Sequence, residues 1–229
     1  MGAARKDDQP GLTLDLKAFQ RDGALRLPAL FDSARVEALR ELPTSGPGVR
    51  LHDARLHDLI TPATEAATAL MRAQARPVRA VVFDKTADAN WLVAWHQDRT
   101  ICVAERVEAE GFGPWSRKNG ALHVAPPVSI LERMVTLRIH LDHVGPDNAP
   151  LRAALGSHCI GVVSAADAAA RAATFAQVVC LAAAGDVWAY ATPILHASDR
   201  SRTPIRRRVL QVDYASADLP GGLTWAGVG

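Results

Sequence analysis

The spacing of apolar residues is helical near the start of the chain and strand-like over most of the remainder. Residues 30–42 predict a helix that Asp32 or Ser33 can cap. A second helix is predicted over residues 61–74, where a proline occupies the first turn. These segments indicate a helical layer that precedes the strands.

Short strands are predicted wherever apolar and polar residues alternate or short β-branched runs occur. In residues 134–144, Leu137 and Ile139 belong to one face, and Arg138 and His140 belong to the other. Further strands are predicted at residues 78–83, 90–98, 175–183, 186–192 and 207–215. Helices followed by many short strands are typical of a mainly β fold, a β-sandwich or jelly roll with flanking N-terminal helices.

Length and composition favour one soluble domain. The 229 residues fit a single domain over residues 1–229, with residues 1–11 as a flexible tail. A net charge of +2 gives no reason to expect a nucleic-acid partner. No apolar run approaches the ~20 residues of a membrane span, and the N-terminus lacks the apolar stretch of a signal peptide. The three cysteines have no CxxC spacing and indicate free thiols. We therefore expect a cytoplasmic monomer or homodimer.

The candidate chemistry begins with His96-Gln97-Asp98 at the end of an apolar strand. Side chains two residues apart on a strand point the same way, so His96 and Asp98 can reach one metal. His196 follows another apolar run and is the best third ligand. Two histidines and one carboxylate form the facial triad of non-haem iron(II) oxygenases. A His-Xaa-Asp sequence alone is weak evidence, so the remainder of the chain has to support it.

Arginines 206, 207 and 208 open the last predicted strand, about ten residues after His196. A buried arginine there can bind the distal carboxylate of 2-oxoglutarate through two hydrogen bonds. Strand parity leaves two alternatives: Arg207 alone faces the interior, or Arg206 and Arg208 do.

Four stretches together resemble the phytanoyl-CoA dioxygenase-like oxygenases, particularly their short bacterial members. The stretches are FDKTADANWLVAWHQDRTICVAERVEAEGFGPWSRKNGALHVAPPVSILERMVTLRIHLDHV (83–144), NAPLRAALGSH (148–158), GDVWAYATPILHAS (185–198) and RRRVLQVDYA (206–215). The resemblance implies a double-stranded β-helix, the jelly roll of the cupin type, that uses iron(II), 2-oxoglutarate and dioxygen. It implies metal ligands at His96, Asp98 and His196. It also selects Arg207 for 2-oxoglutarate and makes Ser198 a second contact.

Other residues are candidates for the same site. Lys85 precedes the strand that ends at His96 and is a candidate cation for the carboxylate of 2-oxoglutarate or of the substrate, with a surface lysine as the alternative. Arg138 and His140 belong to the polar face of their strand and are candidates for substrate binding. Residues 104–125 are rich in glycine and proline and predict a mobile lid loop, with Trp115 near the substrate. A permanently packed loop is the alternative to a lid.

The predicted function is oxidation, most often hydroxylation, of a small-molecule metabolite with release of succinate and CO2. Jelly rolls host many functions, so the sequence does not identify the substrate. A non-catalytic jelly-roll binding protein and a zinc-dependent hydrolase with the same ligands are the alternatives.

Overall fold

The computed structural model describes residues 14–43, 46, 48–203 and 205–228. The tail predicted at residues 1–11 lies outside these residues. The strands are β1 Ala24–Leu27, β2 Val49–Arg50, β3 Arg76–Lys85, β4 Val93–His96, β5 Ile101–Val103, β6 Trp115–Lys118, β7 Ala121–Val124, β8 Val135–His140, β9 Leu151–Ala154, β10 Gln177–Cys180, β11 Val187–Ala191, β12 His196–Ser198 and β13 Arg207–Ala215. The helices are α1 Leu16–Asp22, α2 Ser33–Arg40, α3 Leu56–Leu59, α4 Thr61–Met71, α5 Val128–Leu131 and α6 Ala168–Ala172, with a 3-10 turn at Ser157–Cys159.

The strands form two main antiparallel sheets and one small sheet. The large sheet has the order β1-β11-β8-β13-β3-β2, and the second has the order β10-β9-β12-β4. A three-stranded sheet, β5-β7-β6, follows β4 in the chain. Most neighbours in the large sheet, such as β1 and β11 or β13 and β3, are distant in sequence, as in a jelly roll. The prediction of a mainly β jelly roll with N-terminal helices is confirmed.

The principal core lies between the large sheet and the N-terminal helices. Leu137 and Ile139 of β8 and Leu210 and Val212 of β13 are fully buried on the same face, in one cluster with the apolar residues of α2 and α4. Burying a side chain of this size contributes roughly 1.5–3 kcal/mol. Packing of this face against the helices therefore fixes the position of the large sheet. The opposite face of the sheet is not part of this core.

Local sequence explains where the helices begin. Asp32 caps α2 by accepting a hydrogen bond of 2.7 Å from the amide of Arg35, which satisfies one of the free amides of the first turn. Pro62 lies in the first turn of α4, where its missing amide costs nothing. Both predicted helices are confirmed, and no helix among the described residues is long and apolar enough to cross a membrane.

The segment 104–125 is not the irregular loop that its composition predicted. Strands β6 and β7 lie within it and pair as a hairpin with Lys118 opposite Ala121. The turn residues Asn119 and Gly120 have φ values of 48° and 78°, the conformation of a tight hairpin turn for which Asn-Gly is the favoured sequence. Gly111, Gly113 and Pro114 precede β6, and Gly120 lies in the turn between β6 and β7, so none of them interrupts these strands. Movement of this segment as a lid stays a prediction.

Candidate metal centre

The three predicted metal ligands lie together where two neighbouring strands meet. His96 ends β4, and Asp98 follows two residues later. His196 begins β12 and lies opposite His96 in the antiparallel pairing of these strands. One ligand atom from each side chain lies within 4.8 Å of the other two. A single ion can therefore contact all three.

The residue between the first two ligands fixes the direction in which they point. Gln97 is buried and donates hydrogen bonds of 2.8 Å to the carbonyls of Gly161 and Pro193. Its side-chain oxygen accepts a hydrogen bond from the amide of Val163. Successive side chains of an extended chain point in opposite directions. Anchoring Gln97 on one side therefore turns the side chains before and after it toward the cavity.

Backbone carbonyls select the metal-binding nitrogen of each histidine. Nδ1 of His96 lies 2.8 Å from the carbonyl oxygen of Ala94, and Nδ1 of His196 lies 2.9 Å from that of Ile194. A neutral imidazole that donates through Nδ1 keeps its lone pair on Nε2. Both rings therefore present Nε2, with their centroids 4.3 Å apart.

Burial and neighbouring charges keep His196 and Asp98 in their metal-binding forms. Burial lowers the pKa of His196 to about 4, so this ring is neutral at neutral pH. Burial opposes the ionisation of Asp98, but His196, Arg79 and His96 outweigh it and hold the pKa of this carboxyl below its ordinary value. The site thus offers the neutral imidazole of His196 and the carboxylate of Asp98 beside the ring of His96.

Asp98 is restrained from behind by a network that the sequence analysis missed. Nε2 of Gln211 lies 3.3 Å from Oδ2 of Asp98 and donates to Oδ1 of Asp213 over 3.2 Å. Arg79 forms an ion pair with Asp213 and also lies 3.8 Å from Asp98. Partners of this kind orient a metal-binding carboxylate.

The residues predicted to bind 2-oxoglutarate line the same cavity as the triad. Arg207 is 2% exposed and donates to the carbonyl of Ala149. Nζ of Lys85 lies 3.3 Å from Oγ of Ser198. Burial, Arg207 and Arg138 lower the pKa of Lys85 to about 8, and burial and Arg138 lower the pKa of Arg207 to about 9. Burying these two cations therefore costs free energy, and a bound carboxylate would offset that cost.

The arginine run has one inward member. Arg206 pairs with Asp84 at 2.7 Å, and Arg208 pairs with Asp142 at 2.9 Å, both away from the cavity. Of the two alternatives that strand parity left open, the structure has Arg207 alone facing the interior.

The structure places one of the three predicted substrate-binding residues in the cavity and the other two outside it. Arg138 lines the cavity. His140 is 2% exposed but does not line it, and burial lowers its pKa to about 3. Trp115 packs in a smaller core with Val124, while the guanidinium of Arg106 lies 5.3 Å from its ring centroid. The geometry therefore keeps Arg138 as a substrate-binding candidate and does not bring His140 or Trp115 to the cavity.

The cavity around the triad has a volume of about 160 Å³. It is lined by Arg79, Val81, Phe83, Lys85, Trp91, Val93, His96, Asp98, Arg138, Leu151, His196, Ser198, Arg207 and Gln211. Two imidazoles and one carboxylate suit iron(II) and leave positions free for other ligands. The residues present therefore fit both an iron ion and an anionic co-substrate.

Three solved structures show the same fold. AviO1 from Streptomyces viridochromogenes Tue57 is 22% identical with a TM-score of 0.62, covering 90% of this chain and 95% of that one. The carbocyclase SnoK from nogalamycin biosynthesis is 17% identical with a TM-score of 0.67, covering 93% and 86%. EctD from S. alaskensis, solved with 2-oxoglutarate and 5-hydroxyectoine, is 17% identical with a TM-score of 0.68, covering 99% and 83%. No curated protein sequence matches the chain.

A sequence profile identifies the family directly. The profile described as "Phytanoyl-CoA dioxygenase (PhyH)" matches residues 19–209, which include the triad, Arg138 and Arg207. The match spans most of the chain and agrees with the resemblance seen in the sequence. This chain belongs to the phytanoyl-CoA dioxygenase family.

Proposed function

We propose that the protein is an iron(II)- and 2-oxoglutarate-dependent oxygenase that oxidises a small molecule and releases succinate and CO2. The observation that carries the proposal is the convergence of His96, Asp98 and His196 in one cavity with a buried arginine, Arg207. Neither feature alone would indicate this chemistry, because a triad without a co-substrate site also suits other metal enzymes.

Solved structures of the same fold support the choice of ligands. HygX from Streptomyces hygroscopicus was crystallised with nickel and 2-oxoglutarate. SnoN, an epimerase, was crystallised with Fe3+, alpha ketoglutarate and nogalamycin RO. These proteins are 17% and 18% identical to this chain, so they support the proposal through the fold they share with it.

The protein's own part in the reaction is to hold and orient. His96 and His196 would bind the metal through Nε2, and Asp98 would bind it through one carboxylate oxygen. When bound, iron and 2-oxoglutarate would supply the oxidation of a C–H bond, coupled to conversion of 2-oxoglutarate and dioxygen into succinate and CO2. Gln211 and Arg79 would keep the Asp98 carboxylate in position during turnover.

Arg207, Ser198 and Lys85 would hold the distal carboxylate of 2-oxoglutarate. A guanidinium matches a carboxylate with two parallel hydrogen bonds, and burial strengthens such bonds. Lys85 already donates to the backbone carbonyls of Trp91 and Asp199, at 2.7 Å and 2.9 Å, so it is fixed before a ligand arrives. The co-substrate would therefore meet a preformed site.

The extent and location of the protein are part of the same proposal. We expect residues 1–229 to act as one oxygenase domain, as a monomer or homodimer. Cys102, Cys159 and Cys180 are all unpaired, which fits a reducing cytoplasm.

The test is succinate release from 2-oxoglutarate by the iron(II)-loaded protein under air, screened against a metabolite collection. At least one compound should raise succinate release well above the uncoupled level, and that compound should gain one oxygen or lose two hydrogens. The Asp98→Ala variant is the control and should show no stimulation. Failure of the wild-type protein to bind 2-oxoglutarate in the presence of iron(II) would refute the proposal.

A further inference from the structure

The cavity contains more positive charge than the metal and 2-oxoglutarate can use. Four cationic side chains line it: Arg79, Lys85, Arg138 and Arg207. Opposite them are two carboxylates, Asp98 in the lining and Asp213 behind Arg79. Iron(II) and doubly charged 2-oxoglutarate neutralise each other, so their binding leaves this excess of cations unchanged.

Three of the four cations have an evident partner or role. Arg79 is paired with Asp213 and lies 3.8 Å from Asp98. Lys85 is held by backbone carbonyls and by the hydroxyl of Ser198. Arg207 is the residue that we assign to 2-oxoglutarate.

Arg138 is the cation without a counter-charge. It lies in the middle of β8, is 6% exposed, and lines the cavity. Its Nη1 donates to Oε1 of Gln211 at 2.8 Å, and Gln211 is neutral. Its Nε is buried and has no hydrogen-bond partner. Within the part of the chain that the structure describes, no carboxylate forms an ion pair with Arg138.

The surroundings hold the guanidinium without neutralising it. Its centre lies 5.2 Å from the ring centroid of Phe83, which restrains one face of the group. A buried cation that lacks an anion is costly, and a well-packed apolar side chain at the same place would often be more stable. A cation that is kept in place in this way is suited to receiving an anion from outside the chain.

We propose that Arg138 is a specificity-determining residue that binds a carboxylate group of the substrate, so the oxidised molecule is a small organic acid. The inference rests on the proposed function, because it assigns Arg207 to 2-oxoglutarate and leaves Arg138 for the substrate. The free Nε edge of a guanidinium matches a carboxylate in a two-pronged hydrogen bond. The cavity of about 160 Å³ would also hold the metal and 2-oxoglutarate, so the space beside Arg138 favours a compact acid.

The test compares two probes of the same shape and different charge, propanoate and propanamide. Each is titrated calorimetrically into the protein loaded with iron(II) and 2-oxoglutarate in the absence of oxygen. With Arg207 occupied, the wild-type protein should bind propanoate about 10-fold more tightly than propanamide, as expected for one charge-assisted hydrogen-bonded pair. Equal binding of the two probes by the wild-type protein would overturn the proposal.

Substitutions then locate the preference. Arg138→Met keeps a long side chain without charge and should abolish the preference, with stability unchanged or raised. Arg138→Lys keeps the charge, guards against a folding failure of the first variant, and should retain a weaker preference. Arg206→Met removes an exposed arginine just before the neighbouring strand β13 and should change nothing. A preference that survives in Arg138→Met would contradict the assignment.

The affinity for 2-oxoglutarate separates this inference from the proposed function. Arg138→Met should bind 2-oxoglutarate within about twofold of the wild-type protein, whereas Arg207→Ala should bind it at least ~10-fold more weakly. An equal loss in both variants would mean that Arg138 serves the co-substrate, which overturns the inference. If the wild-type protein does not bind 2-oxoglutarate, the proposed function fails. The dependence of the propanoate preference on Arg138 is then decided in the iron-loaded Arg207→Ala protein, where residue 207 cannot hold the probe, by comparing it with the same protein carrying Arg138→Met.

Discussion

The two faces of the large sheet are built from the same strands and have opposite character. On β13, Leu210 and Val212 point to the helices and are fully buried among apolar residues. On the same strand, Arg207 and Gln211 point to the cavity and Asp213 lies beside them, all buried as well. One face therefore resembles an ordinary protein core, and the other is a buried polar site.

This difference shows how the fold separates stability from chemistry. Apolar burial on the helix side favours folding, whereas each buried charge on the cavity side opposes it unless it is paired. Because side chains alternate along a strand, a shift of one residue in pairing would exchange the two faces. Substitutions on the two faces should therefore affect different measurements, and the following predictions test that separation.

The largest effect is expected at the three metal ligands. His96→Ala, Asp98→Ala and His196→Ala should each abolish 2-oxoglutarate turnover, because each removes one of three ligands from the same ion. The circular dichroism spectrum should remain that of the wild-type protein. His143→Ala changes an exposed histidine beyond the end of β8 and is the control, with full activity. Near-normal succinate formation in a ligand variant would remove that residue from the triad.

The next largest effect is expected on the helix side of the sheet. Leu210→Ala should lower the free energy of unfolding by ~2–5 kcal/mol, because Leu210 is fully buried and leaves a cavity. The affinity of the folded variant for 2-oxoglutarate should stay at the wild-type value. Urea unfolding and a 2-oxoglutarate titration measure the two quantities. Val162→Ala, at a 60% exposed position, should change the free energy of unfolding by less than about 0.5 kcal/mol.

A smaller effect is expected at the co-substrate arginine. Arg207→Ala should raise the apparent KM for 2-oxoglutarate ~10-fold or more, since a charge-assisted pair contributes ~1.5–3 kcal/mol. Arg206→Ala is the matched control, because that side chain is exposed and pairs with Asp84. If Arg206→Ala raises KM and Arg207→Ala does not, the assignment of the inward arginine is wrong.

The smallest effect is a pH dependence that comes from His140. Burial lowers the pKa of His140 to about 3, against about 6.5 in an unfolded chain. As pH falls, His140 is protonated in the unfolded state before it is protonated in the folded state. Its contribution to the free energy of unfolding is therefore complete above about pH 6.5 and is lost as pH falls toward the folded pKa. Between pH 7 and pH 5, the free energy of unfolding should fall by about 2 kcal/mol less in the His140→Leu variant than in the wild-type protein. Equal losses by urea unfolding at these two pH values would contradict a buried neutral His140.

Alternation along the strands made much of the site predictable. The sequence alone indicated that His96 and Asp98 share a face, and it predicted the last strand over the residues that form β13. The same rule could have found two residues that the analysis missed. Arg79 has the parity of Lys85 on β3, and Gln211 has the parity of Arg207 on β13. These side chains were predictable as inward-facing once one inward member of each strand was known.

Two features show where the sequence analysis failed and for what physical reason. The glycine and proline content of residues 104–125 predicts a loop, but the Asn119-Gly120 turn joins β6 and β7 as a hairpin. The sequence could not predict which of the cavity's cations form an ion pair with a carboxylate. The partner of Arg79 is Asp213, which is distant in sequence and meets it only when β3 and β13 pair. The isolation of Arg138 is visible only after such pairs have been assigned.

One measurement tests the central claim most directly: an anaerobic titration of the metal-free protein with iron(II) and then with 2-oxoglutarate, followed by visible absorption. We predict one iron ion per chain and a visible charge-transfer band that appears only after 2-oxoglutarate is added. The Asp98→Ala variant should lose this band. The account would be contradicted if the protein bound zinc tightly and, once loaded with iron(II), gave no spectral or calorimetric response to 2-oxoglutarate.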